Sequence, residues 1–570
     1  MYFHPKIKSL SPVKKLREEG KIKEALEIVL ELEKGEDLSL KEILSYKLAK
    51  ANLLSLIGNY LDAIEIAKEI FQEFEKLGDL ASAFDALIIQ GFAYMLTINL
   101  AKAEVIIKQA KDLLKNYKEK IALDLRERQS SLLMVKAAIA FFKGDIQHSL
   151  ELNNRAYELV KDSGKLILIA GLLNNIADKY HHLKEYDKAV EYAKKAIECN
   201  IEPQLITALA TLIEIYISKG DIQEAKVSLN LLRERTEKLD TKRHKILYYS
   251  SKANILKSSL RARDRIKAED IFKKLALNDS LLSEPRINAI ISLCDLYLTE
   301  LGITNDVKII NEIQPYIKTL LNIAEQRHLY LYLAETYLLQ AKLSLLTLDL
   351  KQAKRFLTQA QKIAESYGIK RLAMKISYEH DELLRQTNIW ENLKISEVSI
   401  SERLKLVGLN EQMKNMLKRQ MIKVPKISKE DPVMLLFLTE GGTLLFSKKF
   451  VEDFSFEDDV LGGILTTINY IINELFSEGL DRAVFGPYTL LMVPIQPFLA
   501  CYIFKGDSYF AHNKIKNFAD SIQKNNIIWQ SLQNFLQTSK SVQLNDIPSL
   551  ESMVMEIFIE KENFWFQKET

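Results

Sequence analysis

The stretch LLNNIADKYHHLKEYDKAVEYAKKAIE, Leu172–Glu198, sets the pattern for most of the chain. Apolar residues recur every three or four positions on both sides of a short break at KEYDKA, Lys184–Ala189. That period belongs to amphipathic helices. Small Ala177, Ala189 and Ala196 alternate with large Leu173, Tyr180 and Tyr186. Two antiparallel helices need this arrangement, with alanine where backbones cross closely and larger side chains filling the grooves.

The break phrase recurs. GKIKEA, GNYLDA, INLAKA, GDIQHS, KEYDKA, GDIQEA, RDRIKA and LDLKQA end at Ala25, Ala63, Ala103, Ser149, Ala189, Ala225, Ala268 and Ala353. The steps are 38, 40, 46, 40, 36 and 43 residues, then 85. The last gap holds two periods, so a degenerate copy is expected near Asn305–Ile310. Nine units of about 41 residues result, each a helical hairpin that buries its apolar side only by stacking on its neighbours.

The composition fits. The 570 residues contain 47% hydrophobic and 27% charged residues but only 19 glycines and 11 prolines, which favours long helices with short connections. A net charge of +3, spread along the chain, argues against nucleic acid as the main partner. The longest apolar run, near Leu205–Ile217, is broken by Thr207, Thr211 and Glu214 and is too short to span a bilayer. The N-terminus shows no apolar signal segment. Cys199, Cys294 and Cys501 are isolated, as in a reducing compartment. A cytoplasmic location is expected.

The units resemble the tetratricopeptide repeat in its small–Tyr–Gly–Tyr–Ala–Ala order. The third unit matches at Gly91, Tyr94, Ala103 and Ala110, and the second at Ala51, Gly58, Tyr60 and Ala63. The period is longer than that family's usual one; an unrelated α-helical repeat is the alternative. The resemblance implies a right-handed solenoid whose inner groove is lined by the first helix of each hairpin. Ile88, Ile89, Phe92, Met95 and Leu96, then Met134, Phe141 and Phe142, fall at such positions. They give way to Asn174, Asn175, Asp178, His181 and His182, and later to Asn254, Lys257 and Arg261. The groove is expected to be apolar early and polar late, with a partner's peptide or amphipathic helix lying there. The family's mode of peptide capture uses an asparagine that bonds the ligand backbone, and Asn175 stands at that position. The Lys/Arg ladder of the chaperone-tail-binding branch is absent from the early units.

Chemistry is sparse. GxxxxGK[ST], HExxH and CxxC motifs are missing. His181–His182 is the only suggestive pair, read here as lacking a carboxylate or cysteine at ligand spacing. No catalytic, cofactor or metal residues are expected, and the chain reads as a non-enzyme.

A second kind of text follows. Residues 1–395 form the solenoid with a capping helix, and 396–430 a basic amphipathic linker. Its cations between Arg403 and Lys429 suit an acidic membrane surface or partner, although a helix docked by its apolar side is favoured. Residues 431–545 alternate with a period near two. VMLLFLT and TLLFSKKF flank a turn at Glu440–Gly442. EDDVLGGILTTINYIINELF, Glu457–Phe476, follows as a helix with one apolar face. Its Gly462–Gly463 pair is expected to lie against a sheet. DRAVFG, YTLLMVPI and FLACYIFKG then give three strands, and a helix runs from about Ser508 to Gln537. Residues 546–570 form a short amphipathic tail. The fold class is mainly α, with a C-terminal α/β domain of order ββαβββα and a five-stranded antiparallel sheet.

The Glu-Gly-Gly turn, LGGILTTIN, FGPYTLLM and FLACYIFKG together resemble the longin/roadblock superfamily over about residues 431–535. A PAS-type sensor has a comparable strand count but several short helices in place of one long one. The resemblance implies a dimerising platform that binds small Ras-like GTPases or another longin/roadblock domain, including a second copy of itself. The expected function is a non-enzymatic adaptor. A regulator whose C-terminal domain senses a small molecule, with the solenoid relaying the change, is the alternative.

Overall fold

The computed structural model of the chain describes residues 8–19, 21–97, 99–116, 125–239, 242–278, 284–396, 398–418, 426–439, 443–451, 481–538 and 544–560. The chain divides into two compact units. One is Met1–Leu333 with Gly408–Met421, and the other is Ala334–Val407 with Ile422–Thr570.

The first unit is a stack of helical hairpins. The pairs are α1 (Ser11–Glu18) with α2 (Ile22–Leu32), α3 (Leu40–Ile57) with α4 (Tyr60–Lys76), and α5 (Leu80–Leu96) with α6 (Leu100–Asn116). Next come α7 (Leu125–Phe142) with α8 (Ile146–Val160), α9 (Leu166–His182) with α10 (Tyr186–Glu198), and α11 (Glu202–Lys219) with α12 (Ile222–Leu239). The pairs α13 (Lys242–Lys257) with α14 (Ala262–Ala276) and α15 (Glu284–Thr304) with α16 (Lys308–Gln326) follow. The repeated phrases from GKIKEA to GDIQEA fall at the break within a pair, whereas RDRIKA, Arg263–Ala268, lies inside α14, just after the break at Ser258–Arg261. The degenerate copy is present too, as the α15–α16 turn. Gly58 and Gly220 close α3 and α11 in the left-handed region, each at φ 94°, which lets the last carbonyls find partners. Lys184 takes the same role without glycine, at φ 65°. Ala177, Ala189 and Ala196 are fully buried where helices cross.

The stack winds tightly. A side chain added at Gly58 would meet Arg243 Cβ, at the start of α13, at 3.8 Å. One added at Gly144 would meet Leu331 Cδ2 at 3.8 Å, in the first turn of α17 (Tyr330–Leu346). Both contacts join hairpins five apart. The inner helices are also tied directly: Arg128 on α7 donates from Nε and Nη2 to both oxygens of Asp85 on α5, at 3.0 and 2.9 Å, with both side chains buried. Such a fork between desolvated ions fixes geometry more than it adds stability.

Among the described helices, α15 is long and apolar enough to cross a membrane by length and composition, a feature the longest apolar run in the sequence did not point to. Here it is the first helix of a hairpin, packed against α13, α14 and α16.

The second unit begins within α17 and continues through α18 (Leu350–Ser366), α19 (Lys370–Arg385), α20 (Thr387–Ile395) and α21 (Ile400–Val407). Its sheet consists of β1 (Asp431–Thr439), β2 (Leu444–Lys449), β3 (Arg482–Phe485), β4 (Tyr488–Ile495) and β5 (Phe498–Lys505). All neighbours are antiparallel, in the order β2-β1-β5-β4-β3. Both sheet faces are apolar and buried. Leu435, Phe437, Leu491, Tyr502 and Phe504 point to one side, where α23 (Ser508–Lys524), α24 (Asn526–Thr538) and α25 (Pro548–Met555) complete the core. Met434, Leu436, Leu438, Leu490, Met492, Cys501 and Ile503 form the opposite face. The Glu440–Gly442 turn and the helix expected at Glu457–Phe476, with its glycine pair, lie outside the described residues.

Two expectations change in detail. The helix after β5 is broken at Asn525, whose Oδ1 accepts from the backbone N–H of Ile527 and Ile528 and starts a new helix. The C-terminal segment is part of the core, because Phe558 sits 4.7 Å from Tyr502 and 5.6 Å from Phe518, ring to ring. Its apolar residues at Leu550, Val554, Ile557 and Phe558 are spaced to cover a sheet.

The last repeat helices and the sheet share one buried ionic network. Arg482, at the start of β3 and fully buried, donates from Nη1 to Asp381 Oδ1 on α19 (3.1 Å) and to Ser508 Oγ on α23 (2.6 Å). Its Nη2 donates to Gln361 Oε1 on α18, and its Nε to Asp481 Oδ1 at 3.2 Å. Asp381 also accepts from the Ser508 backbone N–H at 2.8 Å. His512 is held between Glu365, 2.9 Å from Nδ1, and Asp481, 3.6 Å from Nε2. The first approach is short but poorly aligned, so it acts as an ion pair rather than a hydrogen bond. Burial opposes the charge on His512, yet the two carboxylates push its pKa up to about 9.

Gly506 tests the packing of this unit. It joins β5 to α23 at φ 104°, and a Cβ there would meet the Lys429 carbonyl oxygen at 2.7 Å. Gly506→Ala is expected to cost about 2–4 kcal/mol from strain and backbone clash. Gly486→Ala, at φ 52° with open space around it, should cost only about 1–2 kcal/mol. Urea denaturation of the two variants checks the difference.

Candidate functional site

The sequence-predicted groove residues divide in the structure. Ile88 and Ile89 are core of the α5 hairpin stack, at 0% and 2% exposure, and Phe141 and Phe142 are buried as well. Phe92, Met95 and Leu96 are half-buried, and the first two pack at the margin of the same core. The expected open apolar patch is therefore largely closed. Inner-face residues in a stack this tightly wound are covered by neighbouring helices, which a sequence pattern with no curvature in it does not convey.

What remains together is a polar stripe along α9. Asn174, Asn175, Asp178, His181 and His182 follow one another at i, i+1, i+4, i+7 and i+8, so they share one side of the helix. Asn175 and Asp178 are half-buried, and Asn174 is buried with its Oδ1 unpartnered among the described residues. Asn52 and Asn153 leave an amide oxygen in the same state. A buried oxygen without a donor costs about 1–3 kcal/mol unless a water supplies one.

Around Asp178 the groups are closely engaged. Lys179 Nζ lies 2.5 Å from Asp178 Oδ2, and His182 Nε2 lies 3.2 Å from Oδ1. The same ammonium sits 3.6 Å from the centroid of the Phe141 ring, a cation–π contact delivered from α7. His182 also faces Phe141, at 4.9 Å between centroids. His181 Nε2 meets Ser218 Oγ of α11 at 2.8 Å. Burial disfavours the Asp178 carboxylate, but Lys179 and His182 outweigh it and hold its pKa well below the ordinary value. Three successive inner helices thus contribute to one charged, aromatic-floored patch.

Asp178 corrects the sequence reading of the histidine pair. It stands three residues before His181 and four before His182, and ligand atoms of the three lie within 4.8 Å of one another. The i, i+3, i+4 spacing of Asp178, His181 and His182 puts a carboxylate at ligand spacing, contrary to the expectation from the histidine pair alone. Each group has a protein partner, however: Lys179 and His182 on the carboxylate, Ser218 on His181. The set forms a hydrogen-bonded network rather than an open coordination site. Further along, Lys257 of the polar groove series pairs with Asp295 on α15 at 2.6 Å, another tie between inner helices.

Asp178→Asn should leave the Lys179 ammonium, 8% exposed, without its anion. A loss of about 2–4 kcal/mol is expected, read as a lower urea midpoint of the helical signal, and adding Lys179→Met should restore part of it. Because the folded pKa of Asp178 is depressed, its contribution is present above the unfolded value of about 3.9 and fades as pH falls below it. The Asp178→Asn variant should lack this part of the acid dependence.

Neither a protein-family model nor any curated protein matches this sequence. Solved structures similar to it include a Rap protein complexed with Competence and Sporulation Factor, at 17% identity over 65% of this chain and 99% of that one, with a TM-score of 0.42. The apo form of RapI is 15% identical over 67% and 98%, with a TM-score of 0.33. The P58(IPK) TPR domain is 17% identical over 67% and 98%, with a TM-score of 0.20. Identities and scores are low throughout, and the assignment of a helical-hairpin repeat rests on the hairpins themselves.

Proposed function

We propose that this chain is a non-enzymatic scaffold whose repeats hold a peptide or helical segment of a partner protein. The observation that carries the reading is the α9 stripe, with Asn174, Asn175 and Asp178 beside the Lys179–Phe141 contact on an inner-row helix. Stacked hairpins offer extended concave surfaces for binding, and amide side chains on such a surface match the N–H and C=O groups of a peptide backbone. Asn175 would bond the ligand backbone. In this reading Phe141 supports the stripe from beneath, while Ile88, Ile89, Phe92, Met95, Leu96 and Phe142 are not part of the contact surface.

The C-terminal domain would engage a small Ras-like GTPase, another longin/roadblock domain or a second copy. Support comes from the strand succession, two strands, then three, then a helix, on which the resemblance rests. Contact with an acidic membrane through residues 403–429 has less support, since Leu404, Val407, Met413 and Met416 are buried.

A specific observation favours the second reading as well. The Arg482 network joins α18 and α19 to β3 and α23, so a ligand that moved the sheet would act on the last repeat helices. A small-molecule-responsive regulator would use that path.

The test is affinity capture with the full-length chain as bait. Asn174→Ala with Asn175→Ala is expected to lose the partner at least tenfold with an unchanged thermal melt. A Ras-like GTPase, added with a GTP analogue or with GDP, should be retained by wild type and double variant alike. Equal partner capture by both chains would contradict the groove assignment.

A further inference from the structure

The helix α22 (Leu409–Lys418) belongs to the first unit, while the chain on both sides of Gly408–Met421 belongs to the second. It packs on α15, the first helix of the eighth hairpin. Leu409, Met413 and Met416 are at 0% exposure and Gln412 at 1%, while Asn410, Glu411 and Lys414 are exposed. The anchors at i, i+4 and i+7 are the spacing of an amphipathic helix laid into a groove.

We propose that α22 is a built-in, exchangeable ligand of the repeat stack. The face of α15 beneath it is then a docking site for a partner's short helix bearing Leu-x3-Met-x2-Met anchors. This deepens the scaffold reading and rests on it for the existence of such a partner, while the docking itself stands on the residues below.

Four features make α22 suited to leave and return. A helix of 10 residues is shorter than the ~12–15 that hold helical structure alone in water, so its form depends on what it covers. Two of its three anchors are methionines, whose flexible side chains tolerate repacking. Gly408, at φ 66° with nothing near its missing Cβ, separates it from α21 as a left-handed joint. Finally, α21 is fastened independently within its own unit. Lys342 Nζ donates to the Val407 carbonyl at 2.7 Å, and Arg403 Nη1 donates to the Leu346 carbonyl at 2.9 Å. Release of α22 therefore does not require release of α21.

The consequence is self-competition. A tethered segment acts at an effective concentration on the order of millimolar. A free helix of moderate affinity would reach α15 only poorly while α22 is docked. Anything that holds α22 away would open the site.

The test uses the full-length chain and a labelled synthetic peptide of residues 408–421. Met413→Asp with Met416→Asp should undock α22 and bind the peptide at least tenfold more tightly than wild type. Native-state hydrogen exchange on wild type, which needs no variant, should show α22 amides opening at lower denaturant than those of α15. The proposal is overturned by equal or absent peptide binding to both chains at unchanged helicity, or by α22 exchanging together with α15. A wild-type dimer by sedimentation, dissolved by the double substitution, would assign α22 to exchange between copies and would also overturn it. Peptide binding that survives Asn174→Ala with Asn175→Ala would leave this site standing even if partner capture at α9 fails.

Discussion

Arg482 is the fixed point of the second unit. A guanidinium removed from water loses several kcal/mol of hydration, so its acceptors have to be present together and well aimed. They come from α18, α19, the residue before β3 and the start of α23. Asp381 has a second duty, because it accepts the Ser508 N–H, one of the donors that a helix N-terminus leaves unpaired. The sheet's edge strand, its covering helix and the last two repeat helices are therefore specified by one set of charges. His512 adds to this below the unfolded histidine value of about 6.5, and its contribution is lost as pH rises through about 9.

The proposed adaptor and relay roles of the C-terminal domain make different use of this arrangement. A domain on a loose linker only brings a second partner near. A domain whose core charges sit on repeat helices can pass a mechanical change to them. The scaffold and relay readings then share one structural element and differ in which ligand pulls on it. In the first unit the ion pairs Arg128–Asp85 and Lys257–Asp295 tie α7 to α5 and α13 to α15.

The sequence was legible where periodicity is local. The break phrases, the degenerate copy near Asn305 and the strands 482–485, 488–495 and 498–505 are all short-range signals, and the structure has each of them. The ionic network was not legible, because Gln361, Asp381, Arg482 and Ser508 are brought together from far apart in the chain and no spacing rule links them. Exposure was misread for a related reason. Ile88 and Ile89 occupy inner-row positions but pack against α3, α4, α6 and α7, and Phe141 lies against Lys179 and His182 of α9, contacts that no spacing along a single helix conveys. Asn174, Asn175 and Asp178 form a polar run on one helix, which is visible residue by residue. Lys179 and Ser218, their neighbours in space, are not.

The central claim is that α18, α19 and the sheet fold as one cooperative body around Arg482. Native-state hydrogen exchange of the full chain in increasing urea tests it most directly. The slow amides of α19 and of β4 and β5 should converge on one opening free energy, and Arg482→Met should lower both together. Contradiction would be α19 opening with the hairpins of the first unit at low urea while the sheet stayed protected, with Arg482→Met shifting the sheet alone.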